Sequence, residues 1–328
     1  MTYDVFINKF IHPFILYVVV GTLASYLMAM VITRLPVMKN SKSRALLYSV
    51  IFLIPFIAYA VYRPFFDKCV IAGHPLGIIN DKLCTAGEAV AKILTPLFLL
   101  VTLVAVFKGG LSIYATRKIV RRYGYAQPSE YPDLFRTLEN LCHKAGISMP
   151  GLIVTRDKFA RAFTMGCRNP SIVISNGIIG ALDDGELETL LAHELGHIIR
   201  NDSITMWVMV FLRDLMFFAP VVYWIFRDLS CEKEMASDDY AIELTNKPLA
   251  FAEALIKVWR LSPKKFFDNL ILDNFIPHPN FITYSGILEH RVRRILNNEH
   301  INSYSSWVGI LAVCSISVLA VFIIYWIC

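Results

Sequence analysis

The sequence predicts an α+β chain: a multi-pass α-helical membrane protein carrying one folded domain, in which a small sheet accompanies a histidine-bearing helix and a helical hairpin. Composition, two β-branched runs and one short motif predict it. Of 328 residues, 56% are hydrophobic and 18% charged, with a mean hydropathy of +0.52, too apolar for an ordinary soluble chain of this length. Gly151–Thr155 and Ser171–Ser175 are β-branched runs bounded by turn residues and read as strands. In the apolar stretch 190–199 stand His193, Glu194 and His197, an H-E-x-x-H pattern.

Four stretches have spanning length: 14–32, 46–62, 90–107 and 307–327. The third is the weakest, because Lys92 and Pro96 interrupt it. The first is followed by Arg34, Lys39, Lys42 and Arg44, a pattern that retains a segment in the membrane rather than releasing it as a signal peptide. Lys108, Arg117, Lys118, Arg121 and Arg122 follow the third span, and Arg291, Arg293 and Arg294 precede the last. The positive-inside bias places the N-terminus outside the cell membrane and residues 108 to about 305 in the cytoplasm. Three regions are therefore expected: 1–110 with three spans, 111–305 as the cytoplasmic domain, and 306–328 as a last span.

The net charge of +6 does not point to nucleic acid, since the basic residues flank apolar spans and form no separate patch interleaved with aromatics. Attraction to anionic membrane lipid accounts for them. No C-x-x-C pair occurs among the seven cysteines, which argues against a cysteine zinc site or a thioredoxin-type motif. Cys69 and Cys84 share the predicted external loop, where a disulfide is chemically permitted. Lys92, Arg213 and Asp214 are too few intramembrane charges to suggest an ion conduit.

Within the domain, Leu134, Leu138 and Leu141 recur at helical spacing and Gly146 stands where that helix should end, which predicts a helix over 131–145. Residues 162–166 lie between the two strands as a hairpin or an edge. Ile172, Val173, Ile174 and Ser175 are nominated as an edge strand offering unpaired backbone groups to an extended peptide, against the plainer reading of a core strand. Asp183, Asp184 and Glu186 then supply carboxylates suited to a helix N-terminus.

Residues four apart share one face of a helix, so His193 and His197 can reach one metal ion while Glu194 projects toward a water beside it. Zinc lowers the pKa of such a water toward roughly 7, and a carboxylate can then take its proton. Two histidines and a glutamate on an apolar helix are costly to bury without a partner, and one zinc ion per chain is the natural compensation. A hydrolytic zinc site takes a third protein ligand. Glu234 is preferred because Asp238 follows one turn later and can orient a ligand histidine; Glu232 is the rival, and a solvated charged face the alternative. Stretch 204–226 between the two halves is apolar enough to cross a membrane, yet a single crossing would put about 30 Å of hydrocarbon between Glu234 and His193. A helical hairpin is expected instead, turning near Leu215, with Pro220 in the first turn of the returning helix and Arg213 and Asp214 at the tip, paired or touching headgroups.

On these residues, the region from about 120 to 296 resembles the gluzincin metallopeptidases of the HtpX, CAAX-prenyl-protease and BlaR/MecR groups. The segment from Arg161 to Gly166 looks like the family's Asn-Ala-Phe-Ala-x-Gly, with Arg161 in place of the asparagine, and Glu234 to Asp238 looks like its Glu-x-x-x-Asp motif. The short hairpin is closer to the BlaR/MecR type, although no extracellular sensor domain follows the last span. The resemblance implies a zincin-like domain, zinc at His193, His197 and Glu234, Glu194 as general base, and endopeptidase action on membrane or membrane-proximal polypeptides. Residues 290–296 resemble an Arg-rich family helix, in which Arg291 would stabilise an oxyanion, lock the fold, or lie at the surface against lipid. A non-catalytic, signal-transducing membrane zinc protein of BlaR/MecR type is the alternative function.

Overall fold

The computed structural model describes residues 11–34, 38, 40–65, 77–166, 168–262 and 285–297. The predicted span 307–327 and Cys69 lie outside the described residues. The described residues form two compact units: one takes in those before Lys108 with Met209–Leu229, the other Lys108–Val208 and those from Ser230 onward.

The first unit begins with α1 (His12–Ile32) and α2 (Ser41–Phe65). Val18, Tyr26 and Ala29 of α1 pack with Leu47, Ile51 and Phe52 of α2 in one buried cluster. Hydroxyls in these apolar helices give their protons to carbonyls one turn back, Thr22 to Val18 at 2.6 Å and Ser49 to Ala45 at 2.8 Å, so they need no water. Helix α3 (Gly77–Tyr123) runs unbroken for 47 residues through Pro96. The sequence treats Lys92 and Pro96 as interruptions, but a proline removes only one backbone donor, and a long helix absorbs that loss. Among the described residues, Lys92–Tyr123 is in fact the one helix long and apolar enough to cross a membrane; Tyr17–Ile32 is a shorter apolar stretch. Ile93, Leu99, Leu103 and Phe107 are each at least 67% exposed, an apolar surface whose natural solvent is lipid.

The expected hairpin is formed by α7 (Asp202–Leu215) and α8 (Val221–Thr245), with Pro220 directly before the second helix. Its tip charges pair with each other, Arg213 Nη2 lying 2.7 Å from Asp214 Oδ1, and the Arg213 guanidinium caps the Phe226 ring at 4.7 Å. Met216, Val222 and Ile225 join the buried cluster of the first unit. Farther down the two arms, in the second unit, Lys233 lies 2.6 Å from Asp202, so the chain has returned to where it left.

The rest of the second unit is α+β. Helix α4 (Pro132–Ala145) starts on a proline and ends on Gly146, which closes it in the left-handed conformation at φ 67°. Strands β1 (Gly151–Thr155), β2 (Ala162–Met165) and β3 (Ser171–Ser175) form a sheet of order β1-β3-β2, with β1 parallel and β2 antiparallel to β3. Strand β3 is thus central, not an edge: Ile172 is in register with both Leu152 and Thr164, and all five β3 residues are buried. The uninterrupted apolar run Ile172, Val173, Ile174 is the signature of a strand covered on both faces. The sheet's edges are β1 and β2.

Ser175 caps the short α5 (Asn176–Ile179), where a side chain on Gly177 would lie 2.2 Å from the Lys158 carbonyl oxygen. Helix α6 (Asp184–Ile199) opens with a capping box in which Asp183 and Glu186 each accept from the other's backbone N–H. Helices α9 (Pro248–Leu261) and α10 (Ser285–Leu296) complete the unit. Leu138 and Leu141 of α4, Ile172 and Ile174 of β3, Leu190, Leu191 and Leu195 of α6, and Phe251 and Leu255 of α9 form one buried core around α6. Leu138 is fully buried there, so Leu138→Ala should cost about 2–5 kcal/mol of stability. Denaturant unfolding of the detergent-solubilised full chain would read this as a lower midpoint with an unchanged slope.

Candidate metal centre

His193, Glu194 and His197 stand on the second half of α6, and the first two are at most 1% exposed. Opposite runs α8, which approaches α6 closely because Gly196 has no side chain: a Cβ there would meet Tyr240 Cδ1 at 3.2 Å and Ser237 Cα at 3.4 Å. This approach brings Glu234 to the two imidazoles. Nε2 of His193 and Nε2 of His197 are 3.2 Å apart, and Glu234 Oε2 and Oε1 lie 3.6 Å from the first and the second. Four-coordinate zinc with Zn–N bonds of about 2.0–2.1 Å and tetrahedral angles requires donor separations of about 3.3 Å. Each of the three residues offers one ligand atom, all within 4.8 Å of one another, and they are the group among the described residues that could hold an ion. Glu232 is not in that group.

Protons on the imidazoles are placed by carboxylates behind them. His193 Nδ1 lies 3.0 Å from Asp238 Oδ1, and His197 Nδ1 lies 2.9 Å from Asp202 Oδ2. His197 Nδ1 is hydrogen-bonded to its carboxylate, whereas His193 Nδ1 is at ion-pair distance from Asp238 without hydrogen-bond alignment; a proton on each Nδ1 leaves Nε2 of a neutral ring with a lone pair toward the other. Both oxygens of Glu234 are buried; Oε2 is paired with the Arg291 guanidinium, and Oε1 has no hydrogen-bond donor among the described residues. Two imidazole nitrogens and Glu234 Oε1 converging without a donor between them is an arrangement a cation resolves, and imidazole with carboxylate is a donor set suited to zinc. Phe251 backs the His193 ring, their centroids 5.6 Å apart.

Arg291 reaches this site from α10 and is neither at the surface nor free for lipid, being 3% exposed. Its Nε and Nη2 donate to the two Asp238 oxygens, at 2.7 and 2.5 Å, and its Nη1 lies 3.0 Å from Glu234 Oε2. A guanidinium committed to two carboxylates acts as a lock between α10 and α8. Burial alone would raise the Asp238 carboxyl, but Arg291 and His193 outweigh it and hold that group below the ordinary carboxylate range. Burial would likewise lower Arg291, yet Asp238 and Glu234 keep it firmly charged.

Asp202, at the start of α7, supports His197. Lys233 and Arg200 also bind it, and Arg200 continues to the Ser237 hydroxyl and the Lys233 carbonyl. Burial favours the neutral acid, but His197, Arg200 and Lys233 prevail and keep Asp202 ionised. For His197, burial favours the neutral ring, while the bond to Asp202 and the charges of Glu234 and Glu194 overcome it and raise its proton affinity. In the absence of a metal, the site thus draws positive charge. Sequence spacing also missed Thr164 of β2, whose hydroxyl donates to Glu194 Oε2 at 2.8 Å. Its only signal is the pleat of β2, which turns Thr164 inward while the neighbouring Phe163 is only partly buried.

The sequence profile of BlaR1 peptidase M56 matches residues 79–270, more than half of the chain. The chain belongs to the M56 peptidase family. A protease HtpX homologue of Acidiphilium cryptum is 31% identical over 179 residues, 43% of this chain and 62% of that protein. One of Trichormus variabilis is 39% identical over 101 residues, 29% of this chain and 35% of that protein. One of Nostoc punctiforme is 29% identical over 237 residues, 57% of this chain and 82% of that protein. The chain thus spans less than two thirds of the length of the first two of these relatives. The crystal structure of S. mikatae Ste24p aligns over 90% of this chain and 99% of its own at 14% identity, with a TM-score of 0.34, too loose a likeness to bear on the site.

Removing the Arg291 guanidinium leaves Asp238 and Glu234 buried without a counter-charge. Arg291→Met should therefore destabilise the protein by about 3–5 kcal/mol, where Arg291→Lys, keeping the charge, should lose less. Thermal unfolding of the full chain in detergent would measure both.

Proposed function

We propose that this chain is an integral-membrane, zinc-dependent endopeptidase that cleaves membrane or membrane-proximal polypeptides, in regulation or in quality control. The observation that carries this reading is the convergence of His193 Nε2, His197 Nε2 and the Glu234 carboxylate, the nitrogens 3.2 Å apart and each 3.6 Å from one of the two carboxylate oxygens, with Glu194 adjacent on the same helix. These three would hold one zinc ion and leave a fourth position open, the pattern of a hydrolytic rather than a structural site. Zinc there supplies Lewis acidity, which acidifies water and polarises the scissile carbonyl. Glu194 accepts the proton of the attacking water and returns it to the leaving amine. Asp238 and Asp202 hold the imidazoles in the tautomer that keeps Nε2 available.

Since β3 is central, strand addition by substrate would use the outer edge of β2, which packs against α6. Backbone pairing at that edge would bind an extended peptide with little demand on its sequence. The exposed apolar face of Lys92–Tyr123 supports placement in the cell membrane, with further spans from the other apolar stretches. Arg117, Lys118, Arg121 and Arg122, exposed at the end of α3, support a cytoplasmic catalytic unit and contact with anionic lipid.

Glu194→Gln should keep fold and zinc and lose about 10²–10⁴-fold in rate. Cleavage of fluorescein-labelled β-casein and self-cleavage, with zinc content by mass spectrometry, would check it; undiminished proteolysis would reject the assignment. Asp238→Asn should weaken zinc binding about 10–100-fold in a chelator competition.

A further inference from the structure

Thr164 and Glu194 are 5% and 1% exposed, and they meet side chain to side chain between β2 and α6. The threonine has one proton to give. Glu194 Oε2 at 2.8 Å takes it in preference to the Glu194 carbonyl oxygen at 3.3 Å. No comparable bond ties Oε1 among the described residues. We propose that Thr164 is a positioning residue for Glu194: its hydroxyl pins one carboxylate oxygen so that the other is presented for proton transfer. This inference rests on the reading of Glu194 as the proton acceptor.

A glutamate side chain has three rotatable bonds, and only a narrow part of their range leaves an oxygen within about 2.6–3.2 Å of a reacting proton. Misplacement by about 1 Å costs on the order of a hundredfold in rate. Thr164 is a rigid reference for that carboxylate because β-branching fixes its rotamer and its backbone is paired with Ile172 of β3. The same strand stands at one side of the sheet, where a peptide is proposed to align. Base and scissile bond are then positioned from one strand, and a shift of β2 moves them together rather than apart.

The test compares Thr164→Val, which keeps the volume but not the donor, with Thr164→Ser, which keeps the donor, in the full zinc-loaded chain. Loss of a hydrogen bond to a charged group predicts kcat on fluorescein-labelled β-casein about tenfold or more lower in the valine variant. KM should stay within about twofold and zinc content should match the parent, while the melting temperature falls by a few degrees but the protein stays folded at the assay temperature. The serine variant should recover to within about threefold. A second readout needs no turnover: acetohydroxamate gives its proton to a carboxylate beside the metal, and calorimetry should find its affinity about tenfold weaker with valine and unchanged with serine. If valine prevents folding, Thr164→Ala, which removes the hydroxyl without crowding, should give the same values. Parental kcat and parental acetohydroxamate affinity in the valine or alanine variant would overturn the proposal, as would a serine variant that falls equally far. Glu194→Gln separates the two layers: if it cleaves normally the peptidase reading itself fails, and if it is inactive while valine behaves as the parent, only the role of Thr164 fails.

Discussion

Two imidazole nitrogens 3.2 Å apart in a buried site, both facing one carboxylate, are an arrangement that positive charge among them stabilises. Much of the second unit can be derived from that arrangement. The rings must be neutral and held by their far nitrogens, which calls for Asp238 and Asp202. Those carboxylates are themselves buried and need cations, which calls for Arg291 on one side and Lys233 with Arg200 on the other. Helices α6, α7, α8 and α10 are thereby tied to a single point by charge, not only by the apolar core around α6.

The hairpin follows from the same constraint. Glu234 can reach the two imidazoles only if the chain leaving His197 comes back, and the return is fixed by polar contacts at the base of the two arms. Asp202 at the start of α7 meets Lys233 on α8 at 2.6 Å, and Arg200 bridges to Ser237. Gly196 sets the distance of approach between α6 and α8, since any larger residue would push against Ser237 and Tyr240. Small size at that position of the H-E-x-x-H helix is therefore a packing requirement of the site, separate from the chemistry of its neighbours.

Periodicity made much of this legible in the sequence. The leucine spacing over 131–145, the β-branched runs and the H-E-x-x-H motif each encode a local rule, and α4, β1, β3 and α6 follow those rules. The spacing from Glu234 to Asp238 likewise encodes one helical turn, and that turn brings a carboxylate to His193. What the sequence could not carry was pairing between strands: Ile172 to Ser175 reads equally as an edge or a centre until β2 is seen to fold back antiparallel. Thr164 was hidden for the same reason, because its contact with Glu194 depends on which face of a four-residue strand turns toward α6. The alternatives for Arg291 could not be separated by sequence, since arginines beside an apolar span usually lie at the surface, and only its burial against Asp238 favours the fold-locking one. Pro96 misled, a breaker by propensity that a 47-residue helix simply contains.

The cations behind the carboxylates have a further consequence for the metal. An unpaired aspartate on Nδ1 would stabilise an imidazolium, and a protonated ring cannot ligate. Pairing Asp238 with Arg291, and Asp202 with Lys233 and Arg200, spends part of each carboxylate's charge elsewhere, so the proton stays shared on Nδ1 while Nε2 remains a lone-pair donor. The balance is still tilted: Glu194, Glu234, Asp238 and Asp202 are four carboxylates against the three cations Arg291, Lys233 and Arg200, and His197 is accordingly drawn toward protonation when no metal is present. A divalent ion would supply that missing charge at the one point where the lone pairs already meet. Site geometry and site charge thus favour the same occupant by independent routes.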